Sequence, residues 1–180
     1  MDTAPVVGAT PPSSSLRRAT PAAADRLAAA VVAEYAGYRA FAPAGWAPPT
    51  VEEEAAETRA KLGHPDVWCV YAVDGDGAIT GQVTVLPVTR HSRPSEEPGL
   101  AHLANLFVRE DRWGTGLARD LLAAAVARAR QGGFTQMRLF VAAAHARARR
   151  FYERDGWRPA GEAFLDDRAG LEIVEYRRPL

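Results

Sequence analysis

Residues 103–122 read LANLFVREDRWGTGLARDLL, and the chain changes character twice within them. The opening is apolar and suits a buried strand, the middle is a turn carrying Gly114 and Gly116, and Leu117 begins an alanine- and leucine-rich helix. That helix runs over 117–130, with Ala118, Leu122, Ala125, Val126 and Ala129 on one side and Gly132-Gly133 as its stop. The first N–H groups of a helix have no intrahelical acceptor, the helix dipole favours negative charge there, and glycine lets the backbone approach a ligand closely. The stretch is therefore read as a phosphate site, with Arg109, Arg112 and Arg119 adding positive charge around it, or equally as a plain tight turn and helix cap. A dinucleotide-binding turn fits less well. Its third glycine would fall at Arg119, and its loop would follow the strand directly.

Upstream, residues 100–108 return to β-compatible residues after the polar, proline-containing stretch 90–99, which cannot be a central strand. Before that lie two strands, 67–73 and 78–88, joined by Asp74-Gly75-Asp76-Gly77 as a hairpin. A short strand at 16–20 precedes a helix capped at Thr20-Pro21, in which Leu27, Val31, Tyr35 and Tyr38 share a face. The aromatic and proline-rich residues 41–49 form a loop, and Thr50-Val51-Glu52-Glu53 is a capping box for a second helix ending at Gly63. Downstream come a strand over 134–141, a basic helix over 144–154, and strands over 157–164 and 171–178 flanking the turn 166–170. The order is β-α-α-β-β-β-α-β-α-β-β, an α/β fold built on a mixed sheet.

The 180 residues suit one domain over 16–180 behind a Pro/Ser/Thr-rich tail over 1–15. A chain of this size buries roughly 70% of its unfolded surface, enough for a core without metal or disulfide staples. With 22 basic and 22 acidic residues the formal charge is zero, which argues against a nucleic-acid or anionic-membrane binder. The single cysteine, Cys69, lies in an apolar strand, so neither a disulfide framework nor a zinc site is expected, and a buried core thiol is the simpler reading. No signal peptide or membrane span is legible, so the cytoplasm is the expected location, and a homodimer is left open.

Two motifs at the right separation resemble the GNAT superfamily of acyl-CoA-dependent N-acyltransferases over residues 16–178. Trp113-Gly114-Thr115-Gly116-Leu117-Ala118 is similar to the family's Q/R-x-x-G-x-G/A, with Trp113 in place of Gln or Arg. Residues 145–157, HARARRFYERDGW, are similar to N-x-x-A-x-x-F-Y-x-x-x-G-F, with His145 in place of Asn and Trp157 in place of Phe. The resemblance implies a mixed sheet whose fourth and fifth strands splay, with acetyl-CoA in the gap. Pantetheine would run along the backbone of Leu106, Phe107 and Val108, and the diphosphate would rest on the amides from Trp113 to Ala118 beside Arg112. His145 would stand where the family's Asn meets the pantetheine arm.

By the same resemblance the reaction is direct attack of a primary amine on the thioester in a ternary complex. Tyr152 would protonate the departing thiolate and the Phe107 amide would steady the oxyanion. A lysine-like amine is only about one part in 2,500 neutral at pH 7, so a base is needed. His102, eleven residues before Trp113, is the candidate, set against a plain structural role at the strand entrance. Strand alternation puts it on the opposite face from Asn105, although a bulge, if one occurred there, would re-aim either residue. The run Glu52-Glu53-Glu54 needs only the helix dipole, and Arg147-Arg149-Arg150 is read as a solvated helix face, with contact to the adenosine phosphate as the alternative. Acceptor recognition, of a small molecule or a peptide, is assigned to Glu34, Tyr35, Tyr38, Phe41 and Trp46, to loop 90–99 and to the final hairpin. The competing function is a non-catalytic acyl-CoA-binding module of the same fold.

Overall fold

The computed structural model describes residues 16–180; the tail assigned to 1–15 lies outside the described residues. An open mixed sheet of eight strands has the order β1 (Arg17–Arg18), β2 (Trp68–Val73), β3 (Ile79–Pro87), β4 (Leu100–Val108), β5 (Gln136–Ala142), β8 (Leu171–Pro179) and β6 (Arg158–Pro159). A short strand β7 (Phe164–Asp166) also pairs with β8. All neighbours are antiparallel except β4 and β5. The strand expected over 157–164 is thus two short pieces, β6 and β7, separated by residues 160–163. The other expected strands and all four helices stand within a few residues of their predicted bounds.

Alternation of side chains places one helix layer on each face. Val70 and Ala72 of β2, Val83 and Val85 of β3, and Met137, Leu139 and Val141 of β5 pack against α3 (Leu117–Gln131) and against Tyr152 of α4 (Ala146–Arg154). Cys69 and Tyr71 face Leu27 of α1 (Ala24–Glu34) on the other side. The Thr50 capping box at the start of α2 (Val51–Leu62) is formed in both directions, and Gly63 caps its end. Residues after α1 continue as a tighter 3₁₀ turn, Tyr35–Ala40, which keeps Tyr35 and Tyr38 near one another. Beyond it, Tyr38, Phe41 and Trp46 cover Phe140 of β5, Phe164 of β7 and Ile173 of β8.

Two features of β4 open the sheet. It pairs with β5 only at Leu100, Ala101 and His102, so from Leu103 onward the two parallel strands diverge. It also carries one extra residue against β3: Ala104 faces Thr84 but Phe107 faces Gln82, three steps against two. The bulge centres on Asn105, whose φ of 50° lies in the left-handed region that asparagine tolerates better than most residues. Because of it the α3-facing positions switch from Ala101 and Leu103 to Leu106 and Val108, while Phe107 turns toward α1.

Candidate active site

Between the splayed end of β4 and the helices lies a cleft of about 390 Å³. Leu106, Phe107 and Val108 form its strand wall. Trp113 and Ala118 contribute from the turn and from α3, His145 and Tyr152 from the start and middle of α4, and Glu34 and Tyr38 from the end of α1 and the segment after it.

The turn into α3 supplies donors in an alternating pattern. The N–H of Trp113 is taken by the Glu110 carbonyl (3.0 Å), that of Thr115 by the Arg112 carbonyl (3.4 Å), and that of Leu117 by Thr115 Oγ1 (3.4 Å). Among the described residues nothing accepts from the N–H groups of Gly114, Gly116 and Ala118. Gly116, with φ of 94°, is the left-handed N-cap of α3, and a methyl group added at Gly114 or Gly116 would meet nothing within 4 Å. The backbone there is open to a ligand, and the donors expected over Trp113 to Ala118 reduce to these three. Leu117 contributes its side chain to the core instead.

Of the arginines read as surrounding this turn, Arg109 is committed elsewhere. It bonds Asp111 (2.7 Å) and Asp74 (3.0 Å), which hold both carboxyls below their usual range. Arg112 approaches Asp111 at 3.9 Å, and Arg119 is exposed. Trp113, which replaces Gln or Arg in the motif, donates its indole N–H to the Val108 carbonyl (2.8 Å). The Arg147 guanidinium lies 3.2 Å from the centre of the indole ring. This tryptophan therefore ties the turn to β4 and carries a cation from α4 on its face.

Tyr152 lines the cleft from the middle of α4. Its ring packs on Phe151 (5.3 Å) and Trp157 (5.9 Å) and is 8% exposed, and no described protein group hydrogen-bonds its hydroxyl. Burial, with Tyr38 nearby, pushes the phenol well above its ordinary range, so it is a protonated donor at neutral pH. His145 presents its ring to Tyr38 (5.5 Å) and Phe41 (5.1 Å), and burial followed by Arg147 lowers its basicity.

His102 is not brought to this cleft. It is 3% exposed, packs its ring at a tilt against His91 with centres 3.8 Å apart, lies across from Arg138 of β5, and finds no partner for Nδ1 among the described residues. Burial first, then His91 and Arg138, holds it well below the usual imidazole range. A neutral, weakly basic ring buried behind the strand suits packing better than proton removal. The bulge instead re-aims Asn105: its Nδ2 donates to Oε1 of Glu54 on α2 (3.3 Å). Glu54 is 7% exposed, a buried carboxylate that the reading of Glu52-Glu53-Glu54 as dipole partners passed over. The available signal was its neighbourhood on α2, since Ala55 and Thr58 share its buried face.

The three segments assigned to acceptor recognition do converge. Trp46 donates to the Ala169 carbonyl (2.7 Å), Arg93 of loop 90–99 pairs with Asp166 (2.8 Å), and Arg168 pairs with Glu57 (2.8 Å). Tyr35, Tyr38 and Trp46 pack edge to face and face to face within 6.4 Å of one another. A smaller hollow of about 250 Å³ lies beside them, lined by Glu57, Lys61, His91 and Arg168 among others.

A family model described as the Acetyltransferase (GNAT) family matches residues 32–157, which include β4, the glycine turn and both motifs. The chain belongs to the GNAT family of acetyltransferases. The GNAT fold is shared with solved structures at low identity. An acetyltransferase from Thermus thermophilus is 23% identical with a TM-score of 0.68, over 92% of this chain and 96% of that one. A GNAT acetyltransferase from Staphylococcus aureus Mu50 is 11% identical with a TM-score of 0.72, over 93% and 99%. A GNAT phosphinothricin acetyltransferase from Sinorhizobium meliloti, solved in complex with AcCoA, is 21% identical with a TM-score of 0.68, over 93% and 88%. No functionally curated protein matches the chain. Among the described residues, no helix is long and apolar enough to cross a membrane and no His, Cys, Asp or Glu cluster is arranged to hold a metal ion.

Proposed function

We propose that this GNAT protein transfers the acetyl group of acetyl-CoA to a primary amine by direct attack within a ternary complex. The observation that carries the reading is that Tyr152, whose hydroxyl is unclaimed by any described protein group, lines the same cleft as the end of β4 that has parted from β5 and as Trp113 and Ala118 on either side of the glycine turn. Coenzyme A fits the residues present. The free amides of Gly114, Gly116 and Ala118 suit a diphosphate, and an extended strand edge at Leu106 to Val108 suits an amide-bearing arm. Bound there, acetyl-CoA supplies an activated acyl thioester.

The protein's part is orientation and proton handling. Leu106 and Phe107 align the arm along β4, with the Phe107 amide as oxyanion donor and Tyr152 as proton donor to the departing sulfur. A covalent acyl-cysteine has no support. Cys69 is 1% exposed in the α1-facing core, and burial raises its thiol above the usual range. The test is incubation with acetyl-CoA and a panel of polyamines, amino acids, aminoglycosides and peptides, with free thiol as the readout. Amine-dependent thiol release supports transfer; tight coenzyme A binding with no release under any acceptor supports a binding module instead.

A further inference from the structure

Glu54 is a buried acid with no ion-pair partner among the described residues. One oxygen, Oε1, accepts from Asn105 Nδ2 and from Thr58 Oγ1, both at 3.3 Å. The other, Oε2, accepts from no described residue and is not sealed from solvent. Lys61, on the same helix, is engaged by Glu57 at 2.7 Å. A buried carboxylate with a reachable, unsatisfied oxygen favours a cationic partner, because without one it bears the full cost of desolvation. Beside it stands Tyr35, whose phenol is pushed up by burial and then by Glu54, and against Tyr35 pack the Tyr38 and Trp46 rings at 5.3 and 6.4 Å. Aromatic faces suit both an ammonium group and an apolar body attached to it. Asn105 links this carboxylate to the bulge of β4, directly before the residues that line the cleft from which Tyr152 is reached. Glu54 on α2 and Tyr152 on α4 thus flank the splayed end of β4 from its two faces.

We propose that Glu54 is the acceptor-binding and proton-accepting residue, and that the acceptor is a primary amine with an aromatic or apolar body, its nitrogen at Glu54 Oε2 and its body against Tyr35, Tyr38 and Trp46. The proposal rests on the acetyl-transfer reading and extends it. Glu54 takes one proton from the ammonium and passes it to water. The freed nitrogen pair forms the C–N bond to the thioester carbon as the carbonyl pair moves onto oxygen. Collapse restores the carbonyl and breaks C–S, with the bonding pair leaving on sulfur. Tyr152 gives sulfur its proton and recovers one from the nitrogen, so that ammonium and thioester become amide, thiol and one released proton. Burial raises the affinity of Glu54 for a proton, with Lys61 opposing and Glu57 adding to the effect, which suits a residue that must collect one. The charged and titratable neighbours are Tyr35 from the segment after α1 and Glu57 and Lys61 from α2.

The probe is phenethylamine, with thiol release from acetyl-CoA as the readout, in the parent and in Glu54→Gln and Asn105→Gly. Glycine keeps the left-handed backbone at 105 while removing the amide. Glu54→Gln is expected to lower kcat/KM by about a hundredfold or more at neutral pH. The deficit should shrink as pH rises and solvent supplies neutral amine, with acetyl-CoA affinity by calorimetry and the melting temperature unchanged. Asn105→Gly should show a smaller loss with the same pH trend. Parent-like kcat/KM in Glu54→Gln, or a loss of equal size at every pH, overturns the proposal. So does a parent that binds acetyl-CoA but does not acetylate phenethylamine. A parent that binds no coenzyme A strikes the acetyl-transfer reading itself, which separates the two failures.

Discussion

Replacing Tyr152 by Phe removes one atom from a position where the fold does not use it. The ring keeps its contacts with Phe151 and Trp157, and the hydroxyl has no described hydrogen-bond partner to leave behind. The net worth of a hydrogen bond is about 1 kcal/mol where one exists; here none is lost, so stability should change by no more than about 0.5 kcal/mol. On the proposed mechanism the reaction loses its proton donor to sulfur. General-acid help is worth at least about tenfold and commonly more, so turnover should fall by about 1.4 kcal/mol of barrier or beyond. Coenzyme A affinity should stay near that of the parent, because the main-chain donors at Gly114, Gly116 and Ala118 are untouched. Urea denaturation, calorimetry with coenzyme A and stopped-flow thiol detection measure the three quantities separately. Unchanged turnover refutes the role of Tyr152. A fall in turnover matched by a fall in stability refutes the claim that the hydroxyl serves chemistry rather than packing.

Other perturbations probe other parts of the account. Gly116→Ala forces an L residue to φ of 94° with no steric clash, costing about 1–2 kcal/mol of backbone strain. Its relaxation should turn the amides away, so calorimetry should find coenzyme A affinity reduced, and full affinity would count against the anion site. Thr50→Ala opens the capping box at α2 and should cost about 1 kcal/mol in urea denaturation. Burial first, then Arg138, draws His91 down to about 4, below its unfolded value. The unfolded chain therefore binds the proton first, and the stability due to neutral His91, complete above pH about 6.5, is lost as pH falls toward 4. Denaturation at several pH values in parent and His91→Phe should show a shallower acid decline in the variant.

Most of the fold was legible because local chemistry and tertiary context agree. Residues 100–108 are apolar between a proline-containing loop and a turn, and β4 has those bounds. Thr50 and Glu53 announce α2 through a capping box that forms as written. Trp157 to Phe164 misled because apolar residues at both ends imply one strand, whereas residues 160–163, with Gly161 at positive φ, interrupt it and only two short pieces reach β8. The glycine turn was legible as a helix entrance, but which amides stay free depends on Thr115 and Glu110, whose bonds no spacing rule reveals. The candidate base misled for a related reason. His102 has the right chemistry at the right distance along the chain, yet its strand pairs with β5 there and buries it behind His91. The bulge at Asn105 decides which side chains face α2, and through it Glu54, fifty-one residues earlier, joins the splayed end of β4.

The central claim concerns main-chain groups, so backbone amide resonances test it most directly. Titrating isotope-labelled protein with coenzyme A is expected to move the N–H signals of Gly114, Gly116 and Ala118 most strongly and saturably, with those of Thr115 and Leu117 moving less. Signals at these three positions that stay fixed in excess coenzyme A, or that move no more than those on α2, would contradict the account.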